Sequence, residues 1–336
     1  MKNKVTILGS GSWGTALAAN LSKKGCPVTL WGRDKDVLKG MREFKENKKY
    51  LPDIHLGDAI SYEDDLAKAV GQAEIIISAV TSQSFREVVK SAAPFIKNAQ
   101  IIVNVAKGLE MNSNKRLSEI AIEEVPNLIY TVLSGPSHAE EVGKGMPTTL
   151  VAASENLEAA ETIQDLFMSD RLRVYTNPDV LGVELGGALK NIIALGAGIS
   201  DGMGFGDNAK AAMMTRGISE IARLGLKMGA LTGTFFGLSG IGDLIVTCTS
   251  MYSRNRRCGI LIGQGMSPHE AVRQIGMVVE GVYTAEAAYK LAQQYDVDMP
   301  ITEQIVRILN DEADAKSAVM SLMSRGKKHE QEELIR

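Results

Sequence analysis

Short apolar runs rich in Val and Ile recur along the first half of the chain, and longer stretches with apolar residues every three or four positions separate them. A short β-branched run bounded by turn residues is typical of a buried strand. Alternation of such runs with helical stretches predicts a parallel sheet covered by helices on both faces. The predicted strands are residues 5–8, 27–31, 74–80, 100–105, 129–133, 148–152 and 171–175.

The pattern changes after residue 177, where helical periodicity takes over. Asn177 is placed to cap a helix that has Pro178 at its first position. Further helices are predicted over residues 207–224, 254–262, 284–295 and 302–309. The second half of the chain is therefore expected to form a separate, all-helical domain.

Three glycines follow the first predicted strand directly and lead into a helical sequence. Gly9, Gly11 and Gly14 have the spacing G-x-G-x-x-G, and the next predicted strand completes a β-α-β unit of about 30 residues. In such a unit the glycines allow a tight turn, close approach of a pyrophosphate and close helix packing. A glycine turn without a ligand is the competing interpretation. The fold class is thus α/β, with a Rossmann-type dinucleotide-binding domain over residues 1–177 followed by an all-α substrate-binding domain over residues 178–336.

The end of the second predicted strand bears on the choice of cofactor. Arg33 stands there, where NAD-specific proteins place an acidic residue that binds the ribose 2′-hydroxyl. An arginine is suited to the 2′-phosphate of NADP, although Asp34 follows it directly. We therefore expect NADP to bind and leave NAD open as a second cofactor.

Composition excludes several other classes of function. The net charge of −3 over 336 residues, with both signs interspersed, gives no basic surface for nucleic acid. The first strand begins too early for a signal peptide, and no apolar run approaches the length of a membrane span. Three scattered cysteines indicate neither disulfides nor a metal site. We expect a cytoplasmic protein that acts on a small molecule, without integral membrane association.

Two lysines are candidates for proton transfer. Lys190 lies on a predicted helix face with the small residues Gly187 and Ala194, so that a ligand could reach its amine. A surface lysine whose stem covers apolar residues is the alternative. Lys107 directly follows a predicted strand, and if the two ammonium groups line one cleft, each lowers the pKa of the other.

A candidate anion site lies farther along the chain. Asp243 stands in a glycine-rich turn, and ten residues later Ser253 is placed to cap the helix that begins with Arg254 and Asn255. Backbone N–H groups, a guanidinium and an amide could converge there on a substrate phosphate. An exposed basic helix face is the competing interpretation.

Taken together, these segments resemble the bacterial NAD(P)-dependent glycerol-3-phosphate dehydrogenase family, in order and over essentially the full chain. The resemblance implies reversible hydride transfer between NAD(P)H and dihydroxyacetone phosphate, which gives sn-glycerol 3-phosphate for phospholipid synthesis. It also implies a homodimer. The segments are 9–18 (GSGSWGTALA), 106–109 (AKGL), 134–142 (SGPSHAEEV), 184–191 (ELGGALKN), 240–244 (GIGDL), 253–257 (SRNRR) and 279–282 (VEGV).

The resemblance also implies roles for individual residues. Lys190 is the implied proton donor and acceptor at the C2 oxygen of the substrate. The implied substrate contacts are Lys107, Gly135, Ser137, Lys190, Asp243, Ser253, Arg254 and Asn255. The implied cofactor contacts, beside the three glycines of the motif, are Ser12, Trp13, Arg33, Lys107, Ala139, Arg254, Val278 and Glu280.

Two other functions fit the same residues. A β-hydroxyacid dehydrogenase combines the same two kinds of domain and also has a Lys-Asn pair, but its substrate carries a carboxylate instead of a phosphate. A nucleotide-sensing protein without turnover would keep the glycine loop, but would have no evident use for Lys190 among small residues.

Overall fold

The structure, a computed structural model, describes residues 3–327 and 329–330. They form two compact units. The first comprises Met1–Ala106 and Leu117–Val180, and the second comprises Lys107–Arg116 and Leu181–Arg336. A single division after residue 177 would leave Lys107–Arg116 with the sheet, whereas the structure groups this segment with the helices.

The first unit is built on an eight-stranded sheet with the strand order β3-β2-β1-β4-β5-β6-β7-β8. The order reverses between β1 and β4, and open α/β sheets bind their ligands at such a reversal, beyond the carboxyl ends of the strands. The strands are β1 Val5–Leu8, β2 Val28–Trp31, β3 Ile60–Glu63, β4 Ile75–Ser78, β5 Ile101–Asn104, β6 Ile129–Ser134, β7 Thr148–Ala153 and β8 Leu172–Asn177.

All seven predicted strands are present, but an eighth strand was missed and one pairing departs from the predicted parallel sheet. The edge strand β3 was not predicted, because only its first residue is buried and its sequence carries no apolar run. The sheet is also not wholly parallel. β6 and β7 pair antiparallel, whereas β7 and β8 are parallel to each other, so the last two strands run opposite to the other six.

Helices cover both faces of this sheet. Ile7 and Leu8, neighbours in β1, belong to two different buried clusters, as do Leu30 and Trp31 in β2. Alternate residues of a strand point to opposite faces, so both faces are buried and near-continuous apolar strands result. The helices are α1 Ser12–Lys23, α2 Lys35–Phe44, α3 Leu66–Gly71, α4 Ser82–Ala92, α5 Leu117–Glu124, α6 Ala139–Gly143 and α7 Leu157–Phe167.

The second unit is helical, and each of the four helices named above for this region is confirmed. The predicted cap at Asn177 was wrong: this residue ends β8, its Oδ1 accepts a hydrogen bond of 2.8 Å from the Asp179 N–H, and the helix begins at Val180. The helices are α8 Val180–Gly202, α9 Asp207–Met228, α10 Thr232–Phe235, α11 Asp243–Thr249, α12 Arg254–Gly263, α13 Pro268–Ile275, α14 Glu280–Gln294, α15 Pro300–Leu309 and α16 Ala315–Met323.

Helix α8 is the centre of the helical unit. It is long and apolar enough to cross a membrane, yet 94% of the 18-residue apolar stretch that would span it is buried inside the protein, as in the core helix of a globular fold. A Cβ atom at Gly198 would lie 2.1 Å from the Arg256 carbonyl oxygen, and one at Gly202 would lie 2.2 Å from that of Ile260. Glycines at these positions therefore let α8 and α12 pack backbone against backbone.

Candidate active site

Three charged side chains of the helical unit meet in a buried cluster. The Asp243 carboxylate accepts a hydrogen bond of 2.6 Å from Lys190 Nζ at one oxygen and one of 2.7 Å from Lys107 Nζ at the other. Lys190 is only 4% exposed and Asp243 1% exposed. The interpretation of Lys190 as a surface lysine was therefore wrong, and the two lysines meet at one carboxylate.

Local packing brings these residues together although they are far apart in sequence. Lys190 lies in the middle of α8, and Asp243 is the first residue of α11. A π-helical turn, Leu238–Gly242, precedes Asp243 and rests on α8 at Gly186, where a Cβ atom would lie 2.7 Å from the Ser239 carbonyl oxygen. The missing side chain at Gly186 thus allows the carboxylate to reach the lysine.

Thr247 is a member of the cluster that the sequence interpretation missed. Its hydroxyl accepts a hydrogen bond of 2.5 Å from Lys190 Nζ and donates one of 2.6 Å to the Asp243 carbonyl oxygen. Residues four apart on a helix share a face, so the spacing of Asp243 and Thr247 was the available signal. Lys190 is therefore held by two oxygen atoms from one face of α11.

The electrostatics of the cluster favour a lysine that exchanges its proton near neutral pH. Burial, together with the ammonium of Lys107, lowers the pKa of Lys190 to about 8, although the Asp243 carboxylate acts in the opposite direction. Burial would raise the pKa of Asp243, but the two ammonium groups outweigh it and hold that pKa below its usual range. The carboxylate thus stays ionised while Lys190 can lose its proton.

Lys107 is fixed by the segment that carries it. The Arg116 guanidinium, at the end of this segment, lies 3.2 Å from the Glu184 carboxylate of α8, and both side chains are largely buried. The Asn191 amide donates a hydrogen bond of 3.1 Å to the Lys107 carbonyl oxygen. Two contacts with α8 therefore fix the backbone that carries Lys107.

A chain of amide hydrogen bonds continues from Asn191. The Asn255 Nδ2 donates to Asn191 Oδ1 over 3.0 Å, and the Asn255 Oδ1 accepts from the Gly281 N–H over 2.8 Å. Asn255 thus connects α8 and α12 to the start of α14. Glu280 is the first residue of α14, and Val278 lies two residues before it. Since an amide nitrogen has two hydrogens, one Nδ2 hydrogen is left for a ligand.

The start of α12 confirms the predicted cap. The Ser253 hydroxyl accepts a hydrogen bond of 3.2 Å from the Arg256 N–H. The basic run behind it is not a uniform exposed face: Arg256 pairs with Asp201 over 2.7 Å, whereas Arg254 is half-buried at the first helical position. The structure thus gives separate surroundings to the two arginines.

The glycine loop lies in the first unit, between β1 and α1. A Cβ atom at Gly9 would lie 2.7 Å from the Ala79 carbonyl oxygen. A Cβ atom at Gly14 would lie 2.0 Å from the Gly9 carbonyl oxygen. A Cβ atom at Gly11 would meet no atom within 4 Å. The protein's own packing therefore requires glycine at two positions, whereas the third leaves open space before Ser12 and Trp13 at the amino end of α1. This arrangement fits a pyrophosphate bound at the helix start.

We expect Gly11→Ala to separate cofactor binding from folding. Its φ of −75° and ψ of −175° suit alanine, so the free energy of unfolding should change by no more than about 1 kcal/mol. The added methyl group would fill the space that a pyrophosphate needs, and the loss of one phosphate hydrogen bond would raise the Kd for NADPH about tenfold or more. Fluorescence titration and thermal unfolding measure the two quantities.

Gly40→Ala is the matched control, because a Cβ atom there, in α2 of the same unit, would also meet no atom within 4 Å. It should leave the Kd for NADPH unchanged. An equally unchanged Kd in Gly11→Ala would place the pyrophosphate elsewhere.

The residues after β2 explain the ambiguous cofactor signal. Asp34 caps α2 by accepting a hydrogen bond of 3.1 Å from the Val37 N–H, and it also pairs with Lys49 over 2.9 Å. Lys49 and this cap lower the pKa of Asp34. Arg33 lies 3.3 Å from Glu87, and both side chains are mostly exposed. The Asp34 carboxylate is thus engaged in capping α2 and pairing with Lys49, whereas the Arg33 guanidinium lies on the surface.

The turn after β6 is shaped by one glycine. Gly135 has a φ of 124°, and a Cβ atom there would lie 3.2 Å from the Thr149 carbonyl oxygen. The Ser137 hydroxyl donates a hydrogen bond of 2.8 Å to the Gly135 carbonyl oxygen, and Ala139 begins α6. Because β1, β4, β5 and β6 are parallel, this turn and the glycine loop both follow the carboxyl ends of their strands, on the same side of the sheet unit.

Comparison with known proteins gives consistent matches over the chain. Residues 4–160 match the family model described as NAD-dependent glycerol-3-phosphate dehydrogenase N-terminus, and residues 179–320 match that of the C-terminus. Glycerol-3-phosphate dehydrogenase [NAD(P)+] of Pelotomaculum thermopropionicum is 55% identical, with 99% of this chain and 97% of that protein covered. The Bacillus subtilis protein of the same name is 53% identical, with the same coverage.

A solved structure shows the same similarity in three dimensions. The crystal structure of glycerol-3-phosphate dehydrogenase from Coxiella burnetii matches with a TM-score of 0.93 and 39% identity. The match covers 96% of this chain and 99% of that one. Both units of the fold are therefore found in a protein of that name.

Proposed function

The chain belongs to the NAD-dependent glycerol-3-phosphate dehydrogenase family, and we propose that Lys190 is the group that gives and takes the proton in its reaction. The enzyme is an oxidoreductase that acts on a CH–OH group with NAD(P). It interconverts dihydroxyacetone phosphate and sn-glycerol 3-phosphate, which is a precursor of glycerophospholipids. The observation that carries the proposal is the buried contact of Lys190 with Asp243, Lys107 and Thr247.

The bound cofactor supplies the hydride, and the chain's own residues handle the proton. In the reductive direction the Lys190 ammonium gives a proton to the C2 oxygen, and in the oxidative direction the neutral amine removes it. A pKa of about 8 keeps both forms of Lys190 accessible near neutral pH, as general acid-base catalysis requires. Asp243 orients both ammonium groups, and Lys107 adds positive charge beside the reacting oxygen.

The proposed substrate contacts come from several segments of the chain. We assign the substrate phosphate to the start of α12, which carries the Ser253 cap, the Arg254 guanidinium and the second Nδ2 hydrogen of Asn255. A phosphate far from the reacting carbon supplies binding energy that orients the carbonyl. The remaining proposed contacts are Lys107, Gly135, Ser137, Lys190 and Asp243.

The glycine loop is the proposed site of the cofactor pyrophosphate. Support comes from the open space at Gly11, which no packing requirement explains. NADP and NAD both serve as cofactors. The proposed contacts are Gly9, Gly11, Ser12, Trp13, Gly14, Arg33, Lys107, Ala139, Arg254, Val278 and Glu280.

We expect Arg33→Ala to weaken NADPH binding much more than NADH binding. Only NADPH carries a 2′-phosphate for the guanidinium, and a charge-assisted hydrogen bond of this kind contributes about 1.5–3 kcal/mol, or about 10- to 150-fold in Kd. The Kd values of both cofactors are measured by titration. Glu87→Ala is the control, because it removes the partner that Arg33 has in the structure and leaves the guanidinium in place. Equal losses for NADH and NADPH in Arg33→Ala would remove this residue from the 2′-phosphate site.

The direct test of the function follows the absorbance of NADPH with dihydroxyacetone phosphate as the substrate. We expect turnover with this substrate and none with a panel of β-hydroxyacids and their keto forms. Turnover only with the carboxylate substrates would favour a β-hydroxyacid dehydrogenase. Cofactor binding without any turnover would favour a nucleotide sensor.

The wider organisation follows from the same assignment. We propose that residues 1–177 provide most of the dinucleotide contacts and residues 178–336 most of the substrate contacts, with Lys107–Arg116 contributing to the latter. We assign a cytoplasmic location, supported by three buried cysteines without disulfides, as is usual in a reducing compartment. We also infer a homodimer, because the helical unit exposes large apolar side chains such as Phe236 and Met323. Sedimentation at a monomer's mass would reject the dimer.

A further inference from the structure

A buried asparagine outside the glycine motif makes hydrogen bonds to the glycine loop and to the start of α1. Asn47 lies three residues after the end of α2 and is 1% exposed. Its Nδ2 donates one hydrogen bond of 2.9 Å to the Ser10 carbonyl oxygen and another of 2.8 Å to the Thr15 hydroxyl. Ser10 lies between two glycines of the motif, and Thr15 is in the first turn of α1. One side chain therefore joins the loop to the helix that follows it.

Asn47 is itself held firmly in a tight turn. Its Oδ1 accepts a hydrogen bond of 3.1 Å from the Tyr50 N–H, and its carbonyl oxygen accepts one of 2.9 Å from the Leu51 N–H. Leu51 is buried in the core of the sheet unit, which anchors this turn. Both Nδ2 hydrogens are thus used within the protein, and Asn47 acts on the loop instead of on a ligand.

The consequence for the loop follows from peptide geometry. Glycines have wide conformational freedom, and two of them flank Ser10. In a trans peptide the C=O and N–H bonds point in opposite directions. Because Asn47 holds the Ser10 carbonyl, the N–H of Gly11 must point away from Asn47. Without this hydrogen bond the peptide could rotate and lose that direction.

We propose that Asn47 is a positioning residue of the dinucleotide site, which holds the Ser10–Gly11 peptide so that its N–H faces the pyrophosphate of the cofactor. The inference rests on the proposed cofactor role of the glycine loop. Asn47 orders this donor before the cofactor arrives, so binding does not have to supply the ordering free energy. The pyrophosphate is common to both cofactors, so Asn47 affects NADH and NADPH alike.

Gln100 provides a matched control in the same unit. It is 6% exposed, and its Nε2 donates two hydrogen bonds, to the carbonyl oxygens of Val70 and Ala73, while its Oε1 accepts from the Lys97 N–H. Like Asn47, it donates two hydrogen bonds through its amide nitrogen and accepts one through its amide oxygen. It stands just before β5, at the amino edge of the parallel strands, whereas the glycine loop follows the carboxyl end of β1.

The experiment compares Asn47→Ala with Gln100→Ala. Both variants should lower the melting temperature, since each leaves two buried acceptor oxygens without their amide donor. We expect Asn47→Ala to raise the Kd for NADPH and for NADH about tenfold each, with an unchanged ratio between them, whereas Gln100→Ala leaves both values as in the wild type. The kcat at saturating cofactor should stay within about threefold, because the chemical step does not involve this loop.

Asn47→Asp keeps the inference testable if the alanine variant does not fold. The aspartate retains an acceptor for the Tyr50 N–H but cannot donate to the Ser10 carbonyl, so it should weaken both cofactors as well. Wild-type Kd values in a folded Asn47 variant, or an equal loss in Gln100→Ala, would overturn the positioning role. If Gly11→Ala also left NADPH binding unchanged, the proposed cofactor site itself would be wrong. A loss in Gly11→Ala alone would reject only the role of Asn47.

Discussion

We expect Lys190→Met to lower kcat for the reduction of dihydroxyacetone phosphate by about 10²-fold or more. The lost ammonium acts on the reacting oxygen, and general acid-base catalysis typically contributes about 10²- to 10⁴-fold. Methionine can fill the buried space without a charge, and Asp243 keeps Lys107 as a partner. The Kd for NADPH should therefore change little, and steady-state kinetics with a binding titration separate the two effects.

The pH profile identifies the group that is lost. Reduction needs the protonated lysine, so in the wild type its rate should fall as pH rises through about 8, whereas the rate of oxidation should rise over the same range. Lys190→Arg keeps the charge but does not titrate below pH 12. The alkaline limb of the pH profile, the fall in the reduction rate near pH 8, should therefore vanish together with most of the turnover. Lys290→Met replaces a half-exposed lysine of α14 and serves as the control. Near-normal turnover in Lys190→Met would exclude this lysine from the mechanism.

The features that the sequence predicted well are those set by neighbouring residues. The glycine loop needs only the strand, the turn and the helix that adjoin it, and the Ser253 cap needs only the residue three positions later. The seven predicted strands are likewise local patterns of buried, β-branched residues. In each case the physical cause lies within a few residues, where a pattern can express it.

The features that could not be predicted depend on contacts between distant residues. No spacing indicates that Asp243 accepts hydrogen bonds from both Lys107 and Lys190, or that Asn255 joins Asn191 to Gly281. The reversal at β7 depends in the same way on how the chain returns to the sheet. Hydrogen bonds of this kind are made by tertiary packing, and each partner alone has an ordinary sequence environment.

The Asp243 carboxylate gives the second large effect, and here we expect both activity and stability to fall. Asp243→Asn leaves the buried ammonium of Lys190 and the partly buried one of Lys107 without the carboxylate that they share. Breaking a buried ion pair costs about 3–5 kcal/mol of the free energy of unfolding. Turnover should drop by about 10²-fold or more, because Lys190 loses the oxygen that orients it. Chemical unfolding and steady-state kinetics measure these changes.

Asp243 could matter for turnover either because it tunes and orients Lys190 or only because it stabilises the fold. A purely structural role would leave the pH dependence of the rate unchanged, so the pH profile distinguishes these two explanations. Since the Asp243 carboxylate raises the pKa of Lys190, its removal should shift the alkaline limb of the reductive reaction to below pH 8. Asp201→Asn is the matched control, because Asp201 also bridges two cations of the helical unit, Lys210 at 2.9 Å and Arg256 at 2.7 Å. It should destabilise the protein and leave the limb near pH 8. If the limb also stayed near pH 8 in Asp243→Asn, the titrating group would not be Lys190, because two ammonium groups left without their shared carboxylate cannot keep the same affinity for protons.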